Sequence, residues 1–290
     1  MFAERDRGPS ALEGYRSAIN SVWTFNGRSL NGCPEIQSLL KTFRAERPRT
    51  VHHFPKWDLA LVLRKLTLAP FEPLEGISQY HLSLKTVFLL LLASARRVGD
   101  IHAIDPKRIH IQPNAVTLQP YPGYLPKTAS VAEGERRYMP IVIRRLSNFA
   151  SEPEDMKLCP VRTLLAYDSF AKTLKAGRHE FFLSLNRPYT TVCKQTIAAW
   201  AVKLIKLAYS TDSENDRTLP NVNVQEVRAI AASLLHQATY SIEQVLAMAT
   251  WASPTTFTSY YLREVSGLEG SLHTISPCIV AGHQVRGARN

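Results

Sequence analysis

The stretch "VFLLLLA", Val87–Ala93, is the longest apolar run in the chain, with Lys85 before it and Arg96 and Arg97 after it. A membrane-spanning helix needs about 20 apolar residues, so this run is too short and too closely bracketed by charge to cross a bilayer. It reads as a helix buried in a protein core. The continuation "ASARRVGDIHAI" predicts that the helix breaks near Ala95 and resumes as a short second helix. A chain of 290 residues with 45% hydrophobic side chains is long and apolar enough to enclose it.

The same chain is strongly basic. Lys and Arg total 35 against 24 acidic residues, a net charge of +11. Such an excess favours a polyanionic partner, either nucleic acid or an anionic membrane surface. The opening "MFAERDRGPS" is charged and holds no apolar segment, so no secretory signal is visible. Cys33, Cys159, Cys193 and Cys278 are scattered without a CxxC pair. They read as reduced intracellular thiols rather than a disulfide framework or a zinc site. His52-His53 is the only histidine cluster, and it lacks nearby acids or thiols at ligand spacing.

Periodicity predicts two short helices in residues 10–43, with Leu12, Tyr15, Ile19 and Val22 on one stripe and Ile36, Leu39, Leu40 and Phe43 on another. Two such helices make a thin domain that needs a partner. Residues 44–56 are basic, proline-broken and aperiodic, and read as a linker. It is either a solvated loop or a strap along phosphates, through Arg44, Arg47, Arg49 and Lys56. From Trp57 the pattern is mainly helical with one small sheet. Strands are expected in "RIHIQPNAVTLQPYP", turning at Pro113-Asn114, and in "RRYMPIVI", with the loop "LPKTASVAEGE" between them. Two helices follow, in "CPVRTLLAYDSFAKTLK" and "TVCKQTIAAWAVKLIKLAY"; in the second, Ile197, Trp200, Ala201, Leu204 and Leu207 face the core. A polar loop, "TDSENDRTLPN", leads to the closing helices, and residues 276–290 read as a disordered basic tail.

Two arginines sit where arginine is costly. Arg97 emerges from the buried helix, and Arg228 is set among Val227, Ala229, Ile230, Ala231 and Ala232. A buried guanidinium must be paired or must point into a cleft. Two of them can clamp one phosphate between their planar forks. The alternative is a pair of structural salt bridges, to Asp100 or Glu226.

The order of further features favours the clamp. "SARRVGDI" supplies Arg97 and then Asp100; "YLPKT" supplies Lys127 in the loop between strands. "QEVR" supplies Gln225 and Arg228, and "TWASPTTFTSYYLREV" supplies Trp251, then Tyr260 and Tyr261. This succession resembles the tyrosine recombinase (phage integrase) superfamily. It is most similar to the recombinases of DIRS-type retrotransposons, whose Leu-Cys-Pro-Val helix entry matches Leu158–Val161 and whose Tyr-Leu-Arg ending matches Tyr261–Arg263. The resemblance runs from about Ser10 to Val265.

The resemblance implies a mainly α fold with a small β-sheet (α+β). An integrase-type catalytic domain would occupy residues 57–275, preceded by a short, truncated helical core-binding segment in residues 1–43. It implies a site-specific recombinase or integrase that breaks and rejoins DNA through a 3′-phosphotyrosine intermediate, with no cofactor, metal or ATP. Tyr261 is the implied nucleophile, with Tyr260 the alternative on the spacing common elsewhere in the superfamily. Arg97 and Arg228 would hold the phosphate, Trp251 would offer its indole N–H, and Lys127 would protonate the departing 5′ oxygen. Arg44, Arg47, Arg49, Lys56, Arg96, Lys194 and Arg263 are expected to contact DNA. The implied partners are double-stranded DNA and further copies of the chain, as a tetramer, with no membrane. The expected location is intracellular, in the nucleus for a eukaryotic source.

Three positions depart from the family pattern. Gln225 stands in the usual histidine position, and it can hydrogen-bond a phosphate oxygen but cannot shuttle a proton near neutrality. Ala95 and Thr250 stand where the family has glycine. These departures keep a second reading open, a catalytically impaired DNA-binding remnant of a mobile element. A type IB topoisomerase-like enzyme is a third.

Overall fold

The computed structural model describes residues 8–23, 29–48, 54–127, 140–146, 156–174, 180–210 and 222–265. The expected loop beyond Lys127, the polar loop after Ser210, the basic tail and Arg49 lie outside the described residues. The chain divides into two compact units, Met1–His52 and His53–Asn290.

In the first unit, α1 (Pro9–Val22) and α2 (Pro34–Glu46) each begin with proline, which is pre-set for a first helical position and has no N–H to orphan there. The side-chain oxygen of Asn20 accepts from the Leu30 N–H at 2.7 Å and from the Ser29 hydroxyl at 2.8 Å, tying a single 3-10 turn, Leu30–Gly32, to α1. The expected apolar stripe forms but stays uncovered: Tyr15, Ile19 and Val22 are exposed. Helix α2 also runs past the expected boundary at Phe43, so Arg44 is helical, and its Nε donates to Glu13 at 2.8 Å. The helix stops at Arg47 because Pro48 follows, and proline disfavours the helical conformation of the residue before it.

The second unit is built around one helix. α3 (Leu59–Leu66) is capped by Asp58, whose carboxylate accepts from the Leu61 N–H at 3.2 Å. α4 (Gln79–Ser94) carries the apolar run, and every residue from Leu82 to Ser94 is buried. It breaks at Ala95 and is followed by α5 (Val98–His102), as the sequence predicts. The sheet is antiparallel in the order β1 (Ile104–Ile111), β2 (Ala115–Pro120), β3 (Ile141–Arg144). Leu118 is central, paired with Ile109 on one side and Ile141 on the other. Then come α6 (Pro160–Thr173), α7 (Lys194–Ser210), α8 (Val224–Thr239), α9 (Ile242–Ala249) and α10 (Pro254–Tyr260). α6, α7 and α8 pack around α4. On α7, Ile197, Trp200, Ala201 and Leu204 are buried as expected, whereas Leu207 is only half-buried and Ile205 and Ala208 complete the stripe.

Even Lys85 is enclosed. Its ammonium donates to the carbonyls of Leu66 (2.9 Å) and Phe71 (3.3 Å) and to the Glu72 carboxylate (2.5 Å). Arg162 grips the same carboxylate with two bonds, at 2.6 and 3.0 Å. Burial pushes the Lys85 ammonium down to about 8, against the pull of Glu72. Among the described residues no helix is long and apolar enough to cross a membrane.

Candidate functional site

The break after α4 places the first arginine. Ala95 takes the left-handed conformation (φ 49°, ψ 21°) and reverses the chain, leaving Arg96 buried and Arg97 half-buried as the N-cap of α5. Asp100 then closes the turn. One carboxylate oxygen accepts from the Arg97 backbone N–H at 3.1 Å, and the other accepts from the Tyr124 hydroxyl at 2.8 Å. The acid three residues after Arg97 therefore holds the backbone, leaving the guanidinium uncommitted to it.

The second arginine comes from the first turns of α8. Asn223 caps this helix, its side chain accepting from the Gln225 N–H at 2.9 Å. Arg228 is buried, and its guanidinium donates to the carbonyl of Ala249 at the end of α9. It lies over two rings, 4.5 Å from the centre of Trp251 and 5.4 Å from that of Tyr261. Burial, and then the nearby charge of Arg97, pull its pKa down to about 9; Tyr261 and Asp100 oppose the shift. At neutral pH it stays protonated.

Trp251 is presented by a second left-handed residue, Thr250 (φ 53°, ψ 48°), which ends α9. The Trp251 ring stacks on Phe257 at 5.7 Å and meets Tyr261 at 4.7 Å. Tyr261 follows the last residue of α10, with its backbone N–H donating to Phe257 at 2.9 Å. Its ring is half-buried against Trp251 and Arg228, whereas Tyr260 is 49% exposed. Four of the expected residues thus share one locus: Arg97, Arg228, Trp251 and Tyr261.

Three donors at this locus are buried without a hydrogen-bond partner: Arg97 Nη1, Arg228 Nε and Trp251 Nε1. Leaving a buried donor unpaired costs about 1–3 kcal/mol each. Two mutually repelling cations add to that cost. An anion with several acceptor oxygens is the chemical complement of such a cluster.

The remaining expected residues are not part of that group of four, although the charge of Arg96 reaches Arg228 and Arg263 borders Tyr261. Lys127 is exposed at the last described position before residue 128, and Gln225 is exposed at the start of α8. Lys194 is exposed at the first position of α7, and Lys56 is half-buried. Arg47 lies 5.7 Å over the ring of Phe43. Arg96 and Arg263, expected at a DNA surface, are instead enclosed: Arg96 is 4% exposed, and the Arg263 side chain is 9% exposed in an ion pair with Glu226. Glu226 is therefore the partner of Arg263 rather than of Arg228. Ser233, within α8, was not singled out from the sequence; its hydroxyl accepts from the Arg263 N–H at 2.8 Å and lies 3.3 Å from the Tyr261 carbonyl. A serine inside an apolar helix was the available signal. Among the described residues no three His, Cys, Asp or Glu side chains are grouped to hold a metal ion.

No protein-family profile matches the chain, and no curated protein sequence does. Solved structures do. The XerH site-specific recombinase, bound to a palindromic difH substrate as a post-cleavage complex, is similar with a TM-score of 0.51 at 13% identity, over 91% of this chain and 65% of that one. The XerA recombinase gives 0.49 at 14% identity, over 91% and 82% of the two chains. A lambda integrase tetramer bound to a Holliday junction gives 0.44 at 15% identity, over 88% and 58%. This chain spans about two thirds of the XerH chain. What it shares with that recombinase is the fold, mainly helical with one small antiparallel sheet.

Proposed function

We propose that this chain is a DNA breaking-and-rejoining protein, a site-specific recombinase that works through a 3′-phosphotyrosine. The observation that carries the reading is the cluster of unpaired buried donors on Arg97, Arg228 and Trp251 beside the Tyr261 ring. A DNA phosphodiester supplies the missing acceptors. A free phenol is a weak nucleophile at neutral pH. Two guanidiniums at the phosphate favour the phenolate and stabilise the charge that builds up on the pentavalent transition state. Tyr261 gives up its phenolic proton to water, its Oη forms the bond to phosphorus, the bond to the 5′ oxygen breaks, and Lys127 is the proposed donor of the proton that oxygen takes. Rejoining runs the same steps in reverse, so the phosphodiester's energy is kept in the covalent link.

Double-stranded DNA is the proposed partner, consistent with a net charge of +11, with several copies acting together. XerH, a site-specific recombinase that shares the fold, was solved as a post-cleavage complex with its palindromic difH substrate. The motifs at Leu158–Val161 and Tyr261–Arg263 support an affinity with DIRS-type elements.

Gln225 favours a second reading. An exposed amide at the start of α8 cannot carry a proton where the family uses histidine, which suits a protein that binds DNA without cutting it. A pool of nicked duplexes of randomised sequence separates the two. An active enzyme leaves SDS-resistant protein–DNA adducts that Tyr261→Phe abolishes and Tyr260→Phe does not. Gel-shift binding with no adduct supports the remnant.

A further inference from the structure

We infer that Arg263 is a positioning residue, a clasp that seats the Tyr261 segment against the helix bearing Arg228; this rests on the recombinase reading above. Five bonds carry the inference. Arg263 Nε and Nη2 donate to the two oxygens of Glu226 at 2.9 and 3.1 Å. Nη1 donates to the carbonyls of Tyr260 at 3.2 Å and Leu262 at 3.1 Å. The backbone N–H of Arg263 donates to Ser233 at 2.8 Å. Glu226 and Ser233 both belong to α8, so the clasp spans two elements that the chain brings together only in the fold.

The geometry is directional. Helix α10 has only seven residues and ends at Tyr260; beyond it the Tyr261 and Leu262 N–H groups both reach back to the one carbonyl of Phe257, at 2.9 Å, a short hold that is marginal by itself. The clasp takes hold on both sides of Tyr261, at the carbonyls of residues 260 and 262. That leaves the Tyr261 ring turned in, 5.4 Å from the Arg228 guanidinium, and the Tyr260 side chain turned out. A fork-to-carboxylate pair fixes orientation as well as distance, which a lysine cannot reproduce. The clasp therefore selects which of two adjacent phenols is the nucleophile. A loose nucleophile is costly, because a displacement of about 1 Å lowers a rate by about 10²-fold.

The test compares wild type with Arg263→Gln, Arg263→Lys, Glu226→Gln and the exchanged pair Glu226→Arg with Arg263→Glu, in the full chain, on the nicked-duplex pool. Adduct yield per bound complex is expected to fall about 10²-fold in the single variants. DNA affinity and its salt dependence are expected to stay unchanged, and the exchanged pair to recover part of the yield. Mass spectrometry of the wild-type adduct is expected to place it on Tyr261, and that of the residual adduct in Arg263→Gln to show Tyr260 as well. Amide exchange over residues 258–263 is expected to rise in Arg263→Gln without DNA. Unchanged exchange overturns the clasp, whether or not the protein cleaves. So does a weaker, less salt-dependent affinity with unchanged yield per complex, which would make Arg263 a phosphate contact. Faster exchange with no adduct from wild type overturns the recombinase reading and the nucleophile selection with it, leaving only the tether.

Discussion

The guanidinium of Arg228 sits 4.5 Å above the ring of Trp251, with its Nε and the indole Nε1 both buried and unpaired. The ring face compensates part of the desolvated charge, about 2 kcal/mol for a buried cation over tryptophan. The rest is borne by the fold. Inorganic sulfate is expected to raise Tm by filling the donors, in proportion to its occupancy. Arg228→Met is expected to leave Tm in anion-free buffer unchanged or higher, since it removes a cation that Arg97 repels, and to lose the sulfate response. Thermal unfolding with and without sulfate measures both.

The charge cluster under α4 predicts an asymmetry. Glu72 is shared by Lys85 and Arg162, so Lys85→Met leaves the carboxylate still paired, whereas Glu72→Gln leaves a fully buried ammonium with no counter-charge. Glu72→Gln is expected to cost about 3–5 kcal/mol and Lys85→Met far less. The pH dependence has a fixed sign. The folded-state pKa of Lys85, about 8, lies below its ordinary 10.5, so the unfolded chain holds more protons between these values. Stability therefore rises with pH across that window, by up to about 3 kcal/mol from this group. Denaturant titrations from pH 7 to pH 10 should show the rise in wild type and a flatter profile in Lys85→Met.

Thr250 is a β-branched residue held left-handed at φ 53°. That conformation costs an L-residue about 1–2 kcal/mol, and glycine occupies it freely. Thr250→Gly is expected to raise stability by about 1 kcal/mol, read as a shift in the denaturation midpoint with unchanged slope.

Gln225→His introduces a group that titrates near neutrality at the start of α8. In an active or latent recombinase, adduct yield is expected to increase and to acquire a break near pH 6–7. Equal yield at every pH would show that this position plays no part in proton transfer.

Much of this was legible because periodicity and helix breaks are local. The buried run, its interruption at Ala95 and the hairpin turning after Ile111 follow from neighbouring residues alone. Arg97, Arg228, Trp251 and Tyr261 were legible as candidates only through a resemblance in their order; the structure sets Arg228 against the Trp251 and Tyr261 rings, with the charge of Arg97 nearby. Pairings were less legible. Glu226 looked like a partner for Arg228 by proximity, but residues two apart on a helix do not face each other, and its partner is Arg263. Asp100 looked like a partner for the Arg97 guanidinium and instead holds its backbone. Ala95 and Thr250 stand where the resembled family has glycine, and both take the left-handed geometry that glycine adopts freely. Sequence shows which side chain stands at a turn; only the backbone shows which turn it makes.

The segment from Tyr260 to Arg263 is fastened to a carboxylate and a hydroxyl of its own chain. Each copy thus carries its phenol fastened to the helix that bears its own Arg228. Mixing a copy that lacks the phenol with a copy that lacks Arg228 should not yield a working hybrid, because neither can lend the other what it is missing.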